Sequence, residues 1–417
     1  MTARLSYFQN EKSLERKIYW MSFATRCVLG LAAWWVTTHS QVTFFEDALG
    51  YYQVGTDIAQ EWLTSGSSIT LDTIMGQTTP NAWAMVLLVA VLSFLGNGLK
   101  SMPILMILYA FITSWTPVIT YKIARSLGLI PPSALFAAMF VVFSPCFAFW
   151  GGALYKDGLV FLVLNMIIYH VILLQKRLRI SSIVIISVLI FFLLALRFYL
   201  PVLLVPSLAL GLLLGKRKDL KSQPRRDFSF FNILLRQGFI IAVFVLVLSF
   251  FGYHKLIYNM TPTSVDSFFE YAQEVRTGLT QKAASSYLEE VDIKNPVSAL
   301  NYLPKGIGYF LTVPFPWQRG SLRQNLILPE MIFWLCLYPI IFLGMIRGLR
   351  LNFQGSILLI IVTVVMTFYY GLYISNIGTA YRMRSQIWLF WVIFLGWHHE
   401  KKYLEKLRGH PLTRRSI

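Results

Sequence analysis

Two acidic residues followed by two tyrosines stand just beyond the first long apolar stretch. Glu46 and Asp47 follow an apolar run over residues 18–38, and Tyr51 and Tyr52 come shortly after them. A carboxylate beside an apolar segment is costly to hold there, and it suits a general base that removes a proton from a reacting hydroxyl. The pattern predicts Asp47, with Glu46 beside it, as the catalytic position.

Three further acidic residues follow on the same segment. Asp57 and Glu61 are spaced to share one face of a helix, and Asp72 comes later. This spacing is more typical of a solvated helix face than of a catalytic site. We therefore interpret these three residues as surface groups.

A second ionisable pair, Lys156 and Asp157, lies in a short connection between two apolar runs. The shortness of this connection predicts that both residues sit at a surface, on the same side as Asp47. They could be a self-paired anchor, and an acidic residue at a helix start also gains from the helix dipole. The alternative is a second catalytic carboxylate, Asp157, that converges with the first.

Three arginines on that side are candidate ligands for phosphate. Arg197 ends an apolar run, and Arg382 and Arg384 lie close together near another. A guanidinium binds phosphate oxygens through paired hydrogen bonds, although arginines at span ends can also anchor a helix at the lipid interface. The predicted substrate-binding residues are Tyr51, Tyr52, Lys156, Arg197, Tyr199, Trp317, Arg382 and Arg384.

Other motifs for chemistry are missing from the sequence. It has no phosphate-binding glycine loop, no dinucleotide fingerprint, no His-rich zinc spacing and no Gly-x-Ser-x-Gly. Its three cysteines, Cys27, Cys146 and Cys336, all lie in apolar runs, which favours neither a disulfide framework nor a metal site. We expect no cofactor, and the spacing of the acidic residues does not support a divalent metal.

Composition indicates which elements must position these residues. Of 417 residues, 56% are hydrophobic and 13% are charged, whereas soluble chains carry about 25% charged residues. The sequence predicts an all-α polytopic membrane protein with about ten transmembrane helices. The expected spans are 18–38, 103–121, 133–150, 158–174, 181–196, 198–214, 238–253, 331–345, 356–375 and 386–397.

The distribution of charge sets the predicted topology. The net charge is +18, but the basic residues cluster in short connections between apolar runs, a positive-inside pattern rather than a nucleic-acid surface. All these connections fall on the cytoplasmic side, together with both termini, only if the apolar run 82–95 does not span. We therefore predict 82–95 as an external interfacial or re-entrant helix.

Four regions follow from this topology. Residues 1–215 form a transmembrane module with an external loop over 39–102, and 216–236 form a basic cytoplasmic loop. Residues 237–399 form a second transmembrane part with a large external loop over 254–330, and 400–417 form a basic cytoplasmic tail. Because long ordered loops are usually functional, we expect the chemistry to face outward.

The motifs of the first 215 residues resemble the GT-C superfamily of glycosyltransferases that use polyprenyl-phosphate-linked sugars. Glu46-Asp47 before Tyr51-Tyr52 is similar to the family's first acidic position, and Tyr155-Lys156-Asp157-Gly158 to the second. The run 82–95 is similar to the family's interfacial helix. Aminoarabinose transferases and protein O-mannosyltransferases belong to the same superfamily.

The resemblance implies an inverting glycosyltransferase of bacterial polysaccharide assembly. It would lie in the plasma (inner) membrane with its active face external, and its partners would be membrane lipid, a polyprenyl-phosphate-linked sugar and a glycan, lipid or protein acceptor. Asp47 would be the base. Two alternatives remain open: a polysaccharide polymerase or ligase that uses lipid-diphosphate-linked repeats, and a flippase or transporter of lipid-linked sugars.

Overall fold

The computed structural model describes residues 2–40, 44–65, 82–177, 179–214, 269–270, 272–274, 276–278, 286–287, 291–317 and 322–409. The predicted span 238–253, the basic loop 216–236 and Asp72 lie outside these described residues. Within them the structure is almost wholly helical, and the isolated bridge between Ser286 and Asn376 is the one β-type pairing. The all-α prediction is confirmed for this part of the chain.

The described helices are α1 (Thr2–His39), α2 (Glu46–Ser65), α3 (Trp83–Leu95), α4 (Met102–Thr113), α5 (Trp115–Ser126), α6 (Pro131–Phe143), α7 (Pro145–Gly152), α8 (Lys156–Lys176), α9 (Ile180–Leu196), α10 (Tyr199–Leu214), α11 (Pro296–Thr312), α12 (Leu322–Leu351), α13 (Phe353–Tyr373) and α14 (Ile377–Gly409). They belong to two compact units, Met1–Val202 with His399–Ile417, and Leu203–His398. Each unit is described by itself.

Several helices are long and apolar enough to cross a membrane. Among the described residues these are Met102–Ser126, Lys156–Lys176, Gln324–Leu351 and Phe353–Tyr373, with a fifth if the bent pair α6 and α7 forms one span. The predicted spans 18–38 and 386–397 fall within α1 and α14, which are long but more polar. The total of ten spans therefore stays a prediction.

The predicted span 133–150 is not one continuous helix. It breaks at Ser144 into α6 and α7, which are bent by 59°. Pro145 is the first residue of α7, and a proline pushes the residue before it out of the helical region. Ser144 accordingly has an extended conformation, with ψ of 126°. The prediction of a span at 133–150 did not include this bend because it overlooked the proline, and the pair α6 and α7 is either one broken span or a re-entrant loop.

In the first unit, α1 packs against α4, α5, α6 and α7, and α8 packs against α5 and α9. The helices α2 and α3 form a hairpin beside them, in which a Cβ on Gly55 would lie only 2.7 Å from the Val89 side chain. At about 1.5 Å per residue, α3 is about 20 Å long, shorter than the roughly 30 Å hydrocarbon core. Because α9 and α10 are also short apolar helices, length does not distinguish α3 from them, and the interfacial position of 82–95 stays a prediction.

In the second unit, α13 packs against α11 and α12. Small residues permit close contacts there, since a Cβ on Gly306 would lie 2.3 Å from the Gly371 carbonyl oxygen. The rings of Trp334 and Trp388 stack with centroids 4.4 Å apart and are fully buried. These contacts place the N-terminal part of α14 against α12.

Candidate functional site

The centre of the candidate site is a buried ion pair in the first unit. Asp157 lies in the first turn of α8, and Arg197 is the residue that ends α9. The Arg197 Nη2 donates to the Asp157 Oδ1 at 2.5 Å, with the carboxylate fully buried and the guanidinium 6% exposed. Loss of one partner of such a pair costs about 3–5 kcal/mol. The pair therefore joins the start of α8 to the end of the next helix, α9.

Arg197 is positioned by a second contact as well. Its Nη1 donates to the Tyr199 hydroxyl at 2.7 Å. Burial inside the unit argues against the alternative in which Arg197 anchors a helix end at the lipid interface. Both terminal nitrogens have protein partners, so Arg197 is a positioned cation beside Asp157 rather than an open phosphate fork. Asp157 is fully buried within the first unit, and its position at the membrane surface stays a prediction.

The predicted catalytic residues Glu46 and Asp47 form the first turn of α2 and are exposed. Phe45 beside them is fully buried, and its ring lies 6.4 Å from the ring of Tyr155. The Tyr155 hydroxyl donates to the Phe44 carbonyl oxygen at 2.6 Å. The segment that leads into the exposed carboxylates is therefore bonded to the segment that leads into Asp157.

Tyr109 of α4 is bonded to the segment around Asp157. Its hydroxyl donates to the Tyr155 carbonyl oxygen and accepts the backbone N–H of Leu159 at 3.1 Å. It also interacts electrostatically with three ionisable groups, those of Asp157, Arg26 and Tyr51. Tyr51 and Tyr52 are half-buried on α2, and Lys156 is half-buried at the start of α8. Of the predicted residues in this unit, the structure brings Asp157, Arg197 and Tyr199 into direct contact, and it places Glu46, Asp47, Tyr51 and Tyr52 on α2.

The acidic residues interpreted as surface groups are exposed wherever they are described. Asp57 pairs with Lys100 at 3.6 Å, and their side chains are 72% and 50% exposed. Glu61 is also exposed, whereas Asp72 lies outside the described residues. This half of α2 has the character of a solvated face, in contrast to the first turn, which adjoins a buried ion pair.

The remaining predicted residues belong to the second unit. Arg384 is fully buried and donates to the carbonyl oxygens of Leu311 and Val313 at 3.0 and 2.6 Å. Its guanidinium also lies 5.8 Å from the Phe310 ring centroid and 5.6 Å from that of Trp388. A cation suits the carbonyls at the end of α11. Arg384 therefore fixes the chain where α11 ends.

Arg382 and Trp317 differ from Arg384 in exposure. Arg382 is half-buried. Trp317 is 77% exposed, and its ring stacks on Phe315 with centroids 5.0 Å apart. An exposed indole of this kind presents a flat face of the sort on which a sugar ring packs.

Two buried arginines were missing from the predicted site. Arg276, in the second unit, lies over the Tyr302 ring at 4.7 Å and donates to the Tyr287 carbonyl oxygen at 3.5 Å. Burial raises the pKa of the Tyr287 phenol, which therefore stays neutral. Arg26, in the first unit, is 1% exposed on α1. Arg26 could have been identified from the sequence, because it is a charged residue in the middle of an apolar run.

Metal ligands are the last feature of the site. Across the described ranges, no group of three His, Cys, Asp or Glu side chains could hold a metal ion. The expected independence from a metal remains a prediction.

No protein-family model matches the sequence, and no curated protein matches it at a significant level. The resemblance to the GT-C superfamily therefore rests on the sequence motifs alone.

Proposed function

We propose that the chain is an integral membrane glycosyltransferase that moves a sugar from a polyprenyl-phosphate-linked donor to an acceptor hydroxyl. The protein lies in a bacterial plasma membrane with both termini cytoplasmic and its active face outward. The observation that carries the proposal is the bond between the Tyr155 hydroxyl and the Phe44 carbonyl. It joins the segment that leads into the exposed carboxylates to the segment that leads into the buried carboxylate–arginine pair.

The two kinds of carboxylate suit different tasks. An exposed carboxylate can meet an acceptor, so Asp47 takes the proton of the acceptor hydroxyl with Glu46 beside it. The oxygen then attacks the anomeric carbon, the bond from that carbon to the phosphate oxygen breaks, and polyprenyl phosphate leaves with the electron pair. General-base catalysis of this type contributes about 100- to 10,000-fold.

The positive groups near Asp157 suit the leaving phosphate. Lys156 stands next to Asp157 at the helix start, and Arg197 is held in place by its contacts with Asp157 and Tyr199. Fixed charges stabilise the charge that develops on a leaving group, because they need no reorganisation during the reaction. In this role Asp157 and Tyr199 orient Arg197, and Tyr51 and Tyr52 lie on the acceptor side.

A transporter of lipid-linked sugars is the second candidate, favoured by one specific observation. The broken pair α6 and α7 ends at Gly152 beside the buried Arg26. Broken helices and ionisable groups inside a helical bundle are typical of transporters. The exposed carboxylates at the start of α2 have no evident task in such a protein, and for that reason we favour the enzyme.

The test separates these candidates with one reconstituted protein. The full chain is placed in nanodiscs with polyprenyl-phosphate-linked sugars and glycan or lipid acceptors, and release of polyprenyl phosphate is measured against protein-free nanodiscs. A parallel assay in sealed proteoliposomes measures transbilayer movement of the intact donor. We expect acceptor-dependent release. Donor movement without any release would contradict the proposal and favour the transporter.

A further inference from the structure

Arg26 is buried where α1 crosses the end of α7. A Cβ on Gly151 would lie 2.3 Å from the Arg26 Nη1, and a Cβ on Gly152 would lie 2.2 Å from the Arg26 carbonyl oxygen. Gly30, one helical turn further along α1, also meets Gly152, with 2.6 Å from its added Cβ to the carbonyl oxygen. The missing side chains of these glycines bring the guanidinium directly against the α7 backbone.

The Arg26 guanidinium buries both of its terminal nitrogens in the part of the chain that the structure describes. Neither of its terminal nitrogens has a hydrogen-bond partner there. The carbonyl oxygen of Gly151, the glycine against which the guanidinium rests, accepts the Thr113 hydroxyl at 2.6 Å. Buried charges in proteins are nearly always paired or hydrogen-bonded, so a fully buried guanidinium without such partners is unusual.

The other buried charged side chains that the structure describes in the first unit also leave Arg26 without an anion. The buried charged side chains described in the first unit are Arg26, Asp157, Arg197 and Glu400. Asp157 is bound by Arg197, and Glu400 accepts the backbone N–H of Ile130 at 2.8 Å. Both buried carboxylates are therefore committed elsewhere, and Arg26 is the buried cation left without an anion.

We propose that Arg26 is the cationic residue of a buried anion site that takes a phosphate ester group. A guanidinium binds two phosphate oxygens at once and stays charged in apolar surroundings. Because α4 and α7 are apolar helices and residues 18–38 of α1 form an apolar run, a phosphate carried on a hydrocarbon chain fits these surroundings best. Binding moves the guanidinium away from Gly151, against which it rests without a ligand.

The inference stands apart from the transfer reaction, because it is tested by binding alone. The full chain in a neutral detergent is melted against rising inorganic phosphate at constant ionic strength. Nanodiscs of neutral lipid are then compared with nanodiscs that contain phosphatidic acid or polyprenyl phosphate. The three arms distinguish free phosphate, a lipid headgroup and a lipid-linked substrate as the source of the phosphate group.

We expect at least one arm to raise the Tm of the unaltered protein by about 5 °C near saturation. Arg26→Met abolishes this rise, and Arg26→Lys, which keeps the charge without the fork, reduces it. Arg179→Met is the matched control, since Arg179 is exposed at the start of α9, and it keeps the full rise. Without phosphate, Arg26→Met melts at or above the temperature of the unaltered protein, because a buried unpaired charge is removed.

Three results would overturn the inference. One is a flat Tm in all three arms for the unaltered protein. Another is an equal rise in Arg26→Met, which would locate the bound phosphate elsewhere. The third is a phosphate-free Arg26→Met that fails to fold or melts well below the unaltered protein, because Arg26 would then be a structural residue held by its packing.

Discussion

Arg197 and Arg26 are both buried in the first unit, but they differ in what surrounds the guanidinium. Arg197 has a carboxylate and a tyrosine hydroxyl within 2.7 Å, whereas the terminal nitrogens of Arg26 have no such contact among the described residues. A buried pair positions two helix ends, while a buried cation without an anion leaves charge for a ligand. The comparison indicates that Arg197 is a positioned charge that also joins two helix ends, whereas Arg26 fits the binding of an anion.

The largest effect is expected when Arg197 loses its carboxylate partner and so becomes, like Arg26, a buried cation without an anion. Asp157→Ala leaves Arg197 buried without its anion, so the free energy of unfolding should fall by about 3–5 kcal/mol. Thermal or denaturant unfolding in detergent measures it. The double variant Asp157→Leu with Arg197→Met is the control, because an apolar pair in place of a buried ion pair is often neutral. A single variant that is as stable as the unaltered protein would show that the pair holds nothing together.

A smaller loss is expected when only the orientation of Arg197 is weakened. Tyr199→Phe keeps the ring and removes the hydroxyl that accepts from Arg197. A hydrogen bond to a charged group contributes about 1.5–3 kcal/mol, so the free energy of unfolding should fall by that amount. The effect should disappear when Arg197 is already Met. An equal effect in both backgrounds would mean that the hydroxyl acts through another partner.

Alanine substitutions at Gly151 and Gly152, which both contact Arg26, should lower the free energy of unfolding by unequal amounts. A Cβ on Gly152 meets the Arg26 backbone, which cannot move aside, whereas a Cβ on Gly151 meets the end of a flexible side chain. Gly152→Ala should therefore cost about 1–3 kcal/mol of unfolding free energy, and Gly151→Ala less. Equal losses, compared by unfolding in the same detergent, would contradict the close crossing of α1 and α7.

The smallest effect is expected at the basic end of the same unit. The Arg125 Nε donates to the Glu11 Oε1 at 3.0 Å, and both side chains are about a quarter exposed. Such accessible pairs contribute about 0–1 kcal/mol, so Arg125→Gln should shift the free energy of unfolding by no more than that. A loss as large as that of Asp157→Ala would show that exposure does not separate the two ion pairs.

Part of this account could be predicted from the sequence, and the reasons lie in particular residues. Helicity and the short element at 82–95 follow from local composition, which a single sequence carries. The break at Ser144 could also have been predicted from Pro145, but the apolar run continues across that position. Hydropathy alone therefore gave one span where there are two helices.

The contact between Asp157 and Arg197 could not be predicted in the same way. The two residues are 40 positions apart, and their pairing depends on how α8 and α9 pack. The charge pattern of a single sequence shows which charged residues lie beside or within apolar runs. It does not show which residue each of them contacts. For Arg384, correspondingly, the partners turned out to be the carbonyls at the end of α11 rather than an open surface.

The most direct test of the proposed function compares two carboxylates of α2. Asp47 lies in the first turn beside the candidate site, and Asp57 lies further along the same helix, exposed and paired with Lys100. Release of polyprenyl phosphate by the reconstituted protein is measured for Asp47→Asn and Asp57→Asn. We predict a loss of about 100- to 10,000-fold for Asp47→Asn and near-normal release for Asp57→Asn. Equal release by the two variants would contradict the assignment of Asp47 as the base.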